Sequence, residues 1–157
     1  MLSQLNTLAQ ETDGRFATDA ELMFLQNYLR TARLRFSAYQ KLQAAESRII
    51  QQVQEKLEAM DPSMVLKMPK ADMSHKWRRD SSWALRYSAQ ALLIDDQDSL
   101  QERLLYWFQT MMRAFKVERS YNATYIVMQD IVKQHLTAEE TELFVPILEL
   151  VRSTLCG

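Results

Sequence analysis

Between residues 22 and 60, apolar side chains recur at steps of three and four residues, which gathers them on one face of an α-helix. The 157-residue chain has only two glycines and three prolines, too few for a protein built on strands and tight turns. The pattern therefore predicts an all-α fold. The first six apolar positions of this segment are Leu22, Leu25, Leu29, Ala32, Phe36 and Tyr39.

Local signals place the other elements. We expect a first helix over about residues 2–12, ending before Asp13-Gly14. Because the pattern from 22 to 60 is long for one globular helix, we expect breaks in the low thirties and near residue 45. Residues 61–73 are expected to form a loop. Further helices are expected over about 74–94 and 120–136. Capping boxes are expected at Thr18–Glu21, Ser99–Glu102 and Thr137–Glu140. The last of these begins a final helix, in which we expect Pro146 to cause a kink or to mark a later start of the helix.

Bulk properties exclude several function classes. The formal net charge of −1 predicts neither broad nucleic-acid binding nor broad membrane binding. No apolar run reaches the roughly 18–20 residues of a membrane span, and the N-terminus lacks the pattern of a signal peptide. Cys156 is the single cysteine, which rules out an internal disulfide. No catalytic triad, metal-ligand spacing or phosphate loop is present, so we expect neither an enzyme nor a metal site.

A group of cations occupies the predicted loop and the first turn of the following helix, where the helix dipole disfavours positive charge. Three interpretations stay open. The cations form a solvated turn partly neutralised by Asp72 and Asp80, they meet an acidic protein partner, or they hold a tetrapyrrole or another small anion. The cations are Lys67, Lys70, Lys76, Arg78 and Arg79.

Residues 76–80 read Lys-Trp-Arg-Arg-Asp and resemble the chromophore-attachment motif Lys-Cys-X-Arg-Asp of the phycobiliproteins. Four more blocks are similar to segments of that family, in the same order and at similar spacing. The resemblance spans nearly the whole chain. The four blocks are Asp-Gly-Arg-Phe at 13–16 with Glu-Leu at 21–22, Ala-Glu-Ser-Arg-Ile-Ile at 45–50, Trp-Ala-Leu-Arg-Tyr at 83–87 and Leu-Thr-Ala-Glu-Glu at 136–140.

The resemblance implies a globin-like helical bundle preceded by a helical hairpin over about residues 1–30, within one domain covering 1–157. It also implies that members pair as αβ units and stack into the phycobilisome. In the family, residues matching Lys76 and Arg79 hold the pigment's propionates, and the residue matching Asp80 accepts hydrogen bonds from its pyrroles. The hairpin packs on a partner subunit, so Glu11 and Arg86 are candidate interface residues, with Arg15 in the joining segment.

The departures from the family bear directly on function. Trp77 replaces the cysteine that would form the thioether, and an indole does not substitute for a thiolate, so covalent pigment at position 77 is excluded. The indole either fills the space of the pigment, helped by Met64, Met68 and Met73, or stacks on a bound planar ring. Residues 94–96 (Ile-Asp-Asp) and 115–118 (Phe-Lys-Val-Glu) also differ from the usual pattern, which indicates a divergent member.

The function expected from these residues is that of a non-chromophorylated phycobiliprotein-like subunit with a structural or regulatory role in the phycobilisome. One alternative is a subunit or sensor that binds a bilin noncovalently; another is a free-standing globin-like regulator. A haem site at His75 or His135 has no supporting pattern. The expected partners are phycobiliprotein subunits, linker proteins or a second copy. The expected location is cytoplasmic, on the face of the photosynthetic membrane.

Overall fold

The structure is a computed structural model that describes residues 1–65, 67–68 and 71–157, and all of the side chains except those of residues 66–72. The described residues are mainly helical, which confirms the all-α expectation. A hairpin of two two-residue strands, β1 (Lys67–Met68) and β2 (Ala71–Asp72), is the exception. The helices are α1 (Leu2–Glu11), α2 (Asp19–Met60), α3 (Ser74–Ile94), α4 (Gln97–Leu100), α5 (Tyr106–Phe115), α6 (Glu118–Val132) and α7 (Ala138–Cys156).

The helix α2 runs unbroken for 42 residues, so the expected breaks in the low thirties and near residue 45 are wrong. The sequence between 19 and 60 contains neither glycine nor proline, and nothing in it terminates a helix. Statistics of helix length describe typical domains and set no physical limit. The first buried residue of α2 is Arg35, so the helix extends well beyond the core.

Two of the three expected capping boxes are present. The hydroxyls of Thr18 and Thr137 each accept from the backbone N–H three residues later, and Glu21 and Glu140 return the bond. The Ser99–Glu102 box is wrong, because the carboxylate of Asp96 takes the capping position and accepts from the Ser99 N–H at 3.1 Å. A short π-helical segment, Gln101–Leu105, follows.

The other helix boundaries agree only in part with those expected from the sequence. α3 has the expected bounds, whereas α6 ends at Val132 and does not reach 136. The helix α7 begins at Ala138 and continues through Pro146, so a late start is wrong. The segment 61–73 is more ordered than a plain loop, since it contains a 3-10 helix at Pro62–Val65 as well as the hairpin.

The core lies between the second half of α2 and the helices α3, α6 and α7. A buried carboxylate, Glu140, ties α7 to α2 by accepting from Lys41 Nζ at 2.8 Å and from Ser37 Oγ at 2.7 Å. In α5, which is rich in aromatic residues and methionine, Phe108 and Met112 are buried, whereas Trp107 and Phe115 are exposed. The largest core side chains include Leu42, Ile49, Leu57, Leu85, Leu92, Tyr125, Met128 and Phe144.

Candidate functional site

The motif at 76–80 occupies the first two turns of α3, as the sequence predicted. Helical geometry divides it between two environments. Trp77 lies on the face that continues inward with Ser81, Ala84 and Leu85, whereas Lys76, Arg78 and Arg79 are exposed. The three cations of the motif thus lie at the surface, whereas Trp77 is an interior residue. Of the other cations in the predicted group, Lys70 and the side chain of Lys67 lie outside the described residues, as do the side chains of Met68 and Asp72.

The indole of Trp77 is part of the hydrophobic core, with 0% of its surface exposed. Its Nε1–H donates to Thr124 Oγ1 at 2.9 Å, and that hydroxyl in turn donates to the Ser120 carbonyl at 2.8 Å. A buried indole N–H needs an acceptor, and here α6 supplies it. Thr124 was not identified from the sequence, because it is 47 residues away and lies in no recognisable motif.

The carboxylate of Asp80 has protein partners on both oxygens. Tyr121 Oη–H donates to Oδ2 at 3.1 Å, and Arg79 Nε–H donates to Oδ1 at 3.0 Å. Burial raises the pKa of Tyr121 far above its ordinary value, and the neighbouring Asp80 carboxylate raises it further, so the phenol remains a donor. Tyr121 is a second residue that sequence reasoning missed.

The guanidinium of Arg79 is engaged on two sides. It forms an ion pair with Asp80, with Nη2 to Oδ1 at 3.0 Å, and its Cζ lies 5.0 Å from the ring centroid of Trp83. A cation over an indole face at this distance is attracted by the ring quadrupole. Arg78 reaches α2, where it donates to Gln54. Two of the exposed cations are therefore held by contacts within the chain.

A series of aromatic rings leads from the Asp80 partner to the surface and to the core. Tyr121 meets Phe108 edge-on at 5.6 Å between centroids, and Phe108 stacks with the exposed Trp107 at 6.0 Å. On the inner side, Tyr121 lies 6.4 Å from the wholly buried Tyr125. The region beside the motif is consequently filled with protein rings in offset or edge-on contact.

The candidate interface residues have partners inside the chain. Arg15 pairs with Glu21 at 2.7 Å and donates to the Glu11 carbonyl at 3.2 Å. Arg86 forms a bidentate pair with Glu46, at 2.8 and 2.9 Å. The expected contact between Glu11 of one subunit and Arg86 of another stays a prediction.

A surface groove of about 150 Å³ lies between α2 and α3, where the Arg86–Glu46 pair is found. Tyr39, Leu42, Leu85 and Ala89 contribute its apolar lining. The groove therefore offers an apolar floor next to a pair of opposite charges.

The described residues form a mainly helical, globin-like bundle. Residues 7–155 match the sequence model of the phycobilisome protein family, so the chain belongs to that family. A comparison with curated proteins finds no significant match. In the part of the chain that the structure describes, no helix has the length and apolar character needed to cross a bilayer. The same residues contain no group of three or more His, Cys, Asp or Glu side chains placed to hold a metal.

Proposed function

We propose that the chain is a non-chromophorylated subunit of the phycobilisome with a structural or regulatory role. The observation that carries this proposal is the complete burial of Trp77 in the core, with its N–H bonded to Thr124. An indole that is fully packed and hydrogen-bonded takes the volume that a pigment would need beside α3. Family membership supports a role in the antenna, and the closed site supports a role without light absorption.

The chemistry of the single thiol supports the same conclusion. A thioether to a bilin requires a thiolate, and the chain has one cysteine, Cys156, at the end of α7. Burial raises the pKa of this thiol to about 11. At neutral pH Cys156 is therefore protonated and a poor nucleophile. Neither position 77 nor position 156 offers a suitable attachment point.

The residues as arranged also do not fit a noncovalent bilin. The resemblance assigns the propionates to Lys76 and Arg79 and the pyrrole nitrogens to Asp80. In this chain Asp80 already accepts from Tyr121 and Arg79, and Arg79 also lies over Trp83. A pigment would have to displace these bonds and a buried indole together, which argues for the pigment-free role.

The first test asks whether the protein purified from its native cell carries a pigment, and with which proteins it co-fractionates. We expect it to co-fractionate with assembled phycobilisomes and to show no visible absorbance after purification. Bilin absorbance in the purified protein would contradict the pigment-free role, and pigment that stays with the polypeptide after separation in acid urea would identify a covalent adduct. Absence of the chain from every antenna fraction would contradict the structural role.

The second test asks whether restoring the thiol restores attachment. Trp77→Cys is co-expressed with a bilin and a lyase, with Trp83→Cys as the matched control and a pigmented family member as the positive control. We expect no adduct at either position, because the Asp80 bonds to Tyr121 and Arg79 remain. A stable coloured adduct formed by Trp77→Cys alone would show that the site admits a bilin once the indole is removed, and it would overturn the argument that the Asp80 bonds exclude one.

A further inference from the structure

The helix α5 leaves large aromatic side chains in water although it packs on the core. Its inner side is buried at Phe108 and Met112, whereas Tyr106, Trp107 and Phe115 are 56%, 54% and 68% exposed. Scattered exposed apolar residues are ordinary, but three large rings on one ten-residue helix form a patch. A patch of this kind indicates a contact surface.

The turn before α5 directs two adjacent rings outward together. The segment Gln101–Leu105 is π-helical; its last two residues are buried, and the next two, Tyr106 and Trp107, are exposed. The Trp107 ring is also supported from beneath, because it stacks on the buried Phe108 with 14° between the ring planes. π-Helical turns are rare and often occur at functional sites. The fold thus holds both rings in an outward position.

Positive charges surround these rings. Arg103 lies in the π-helical turn, Arg113 in the last turn of α5, and Lys116 directly after the helix, and all three are exposed. Among the described residues, none of these three side chains has a hydrogen-bond or ion-pair partner. The helix itself contains no acidic residue, and those nearest along the chain are Glu102 and Glu118. The surface of α5 therefore carries positive charge that its own helix does not neutralise.

The charge of the chain is distributed unevenly. Removing the three cations around α5 from the formal net charge of −1 leaves −4 on the rest of the chain. The net charge, which predicts no broad membrane binding, conceals this asymmetry. An anionic surface attracts α5 and weakly repels the remainder, so it orients the molecule with α5 toward it. Salt screens charges beyond about 8 Å, so the cations at the contact contribute most.

The chemistry and the size of the patch favour a lipid surface over a protein partner. Trp and Tyr, whose rings each carry one polar group, concentrate at the headgroup level of bilayers, and Lys and Arg accompany them on interfacial helices. Nine residues between 102 and 116 are exposed, whereas a stable protein interface takes about 20–30 residues from each partner. A bilayer surface needs no complementary shape and can bind a small patch.

We propose that the exposed surface of α5 binds anionic lipid headgroups at the surface of a bilayer. Arg103, Arg113 and Lys116 contact the headgroups, while Tyr106 and Trp107 enter the interfacial region. The binding is peripheral, since one short helix makes the contact and no described helix is suited to cross a bilayer. The inference goes beyond the proposed function by assigning one face of the subunit to the membrane.

The test is co-sedimentation of the purified full-length chain with two kinds of vesicle, one of phosphatidylcholine alone and one that also contains about one-third phosphatidylglycerol. We expect binding to the anionic vesicles only, and weaker binding at higher salt. Arg103→Glu/Arg113→Glu should lower the partition coefficient at least about 30-fold, because two attractions become repulsions. Arg30→Glu/Arg33→Glu is the matched control: it changes the net charge equally, at two exposed sites on α2, and should cause a much smaller loss.

Tryptophan fluorescence locates the contact. Trp107 enters a drier environment on binding, so the emission should shift to shorter wavelength when anionic vesicles are added. Trp107→Phe should remove the shift while binding is retained. Trp83→Phe is the control and should keep the shift, and Trp77 is buried with or without vesicles. Circular dichroism verifies that each variant remains helical.

Three results overturn the inference: no binding to the anionic vesicles, equal binding to both kinds of vesicle, or equal losses in the two double variants. A chain that ignores vesicles but leaves the antenna fractions when Arg103→Glu/Arg113→Glu is introduced has an acidic protein partner at α5. That result also overturns the inference, yet it supports the proposed function. Vesicle binding by a chain that is absent from every antenna fraction overturns the proposed function and leaves the inference standing.

Discussion

Trp77 is a core residue at the position where the motif that it resembles carries a cysteine. The side chain adds a large apolar surface to the interior and finds an acceptor in Thr124. Aromatic side chains of this size dominate the free energy of burial in small domains. The sequence alone excluded covalent pigment at this position, but it left open whether the indole filled the space or stacked on a ligand.

Replacing Trp77 by alanine should lower the free energy of unfolding by about 3–5 kcal/mol, because it removes the buried indole and leaves a cavity. Chemical denaturation followed by circular dichroism measures this change. Trp83→Ala is the control: Trp83 is 39% exposed, and its loss removes mainly the contact with Arg79, worth about 0.5–1 kcal/mol. Equal effects of the two substitutions would contradict the core role of Trp77.

One buried carboxylate, Glu140 in α7, accepts hydrogen bonds from Ser37 and Lys41 in α2. Burial of Glu140 by itself raises its pKa, but hydrogen bonds from Lys41, the Thr137 backbone and Ser37 outweigh burial, so the pKa lies below the ordinary 4.5. A carboxyl with a lowered folded-state pKa stabilises the fold above its unfolded pKa. That stabilisation is lost as the pH falls through the folded-state value.

Glu140→Gln should therefore destabilise the protein at neutral pH by about 1–3 kcal/mol, since a buried charged acceptor is lost. The difference from wild type should shrink as the pH falls from 4.5 through the lower folded-state pKa of Glu140. Urea unfolding at a series of pH values measures both effects. Glu139→Gln, at an exposed site in the same helical turn, is the control and should change little. A difference that persists undiminished in acid would contradict the assignment.

At the scale of the whole molecule, the N-terminal arm, residues 2–34 with α1 and the first half of α2, is attached to the bundle at the C-terminal end of α3. Arg35 donates to the Leu92 carbonyl at 2.8 Å and pairs with Asp95 at 3.0 Å, while Tyr28 donates to the Leu93 carbonyl at 3.0 Å. These bonds satisfy carbonyls that a helix end leaves free, and they place positive charge at the negative end of the dipole. The direction of the arm is thus fixed by contacts with α3.

Arg35→Ala should loosen the arm without unfolding the bundle. We expect backbone amides of residues 19–34 to exchange with solvent about 10-fold faster or more, because α2 loses the Arg35 bonds to the Leu92 carbonyl and to Asp95. Hydrogen exchange read by mass spectrometry measures this, and α6 and α7 should keep their protection. The exposed neighbour Arg33→Ala serves as the control. Unchanged exchange in the arm would show that other contacts determine its position.

The amino-acid sequence by itself determined the helical class, the bounds of α3, two capping boxes and the loss of the attachment thiol. Each depends on residues close together in the chain, through backbone propensity, a local hydrogen bond or the identity of one atom. The tertiary structure decided that Trp77 lies inward, that Thr124 accepts from its indole, and that Tyr121 donates to Asp80. These features depend on packing and hydrogen bonds between residues more than 40 positions apart, for which local patterns carry no signal.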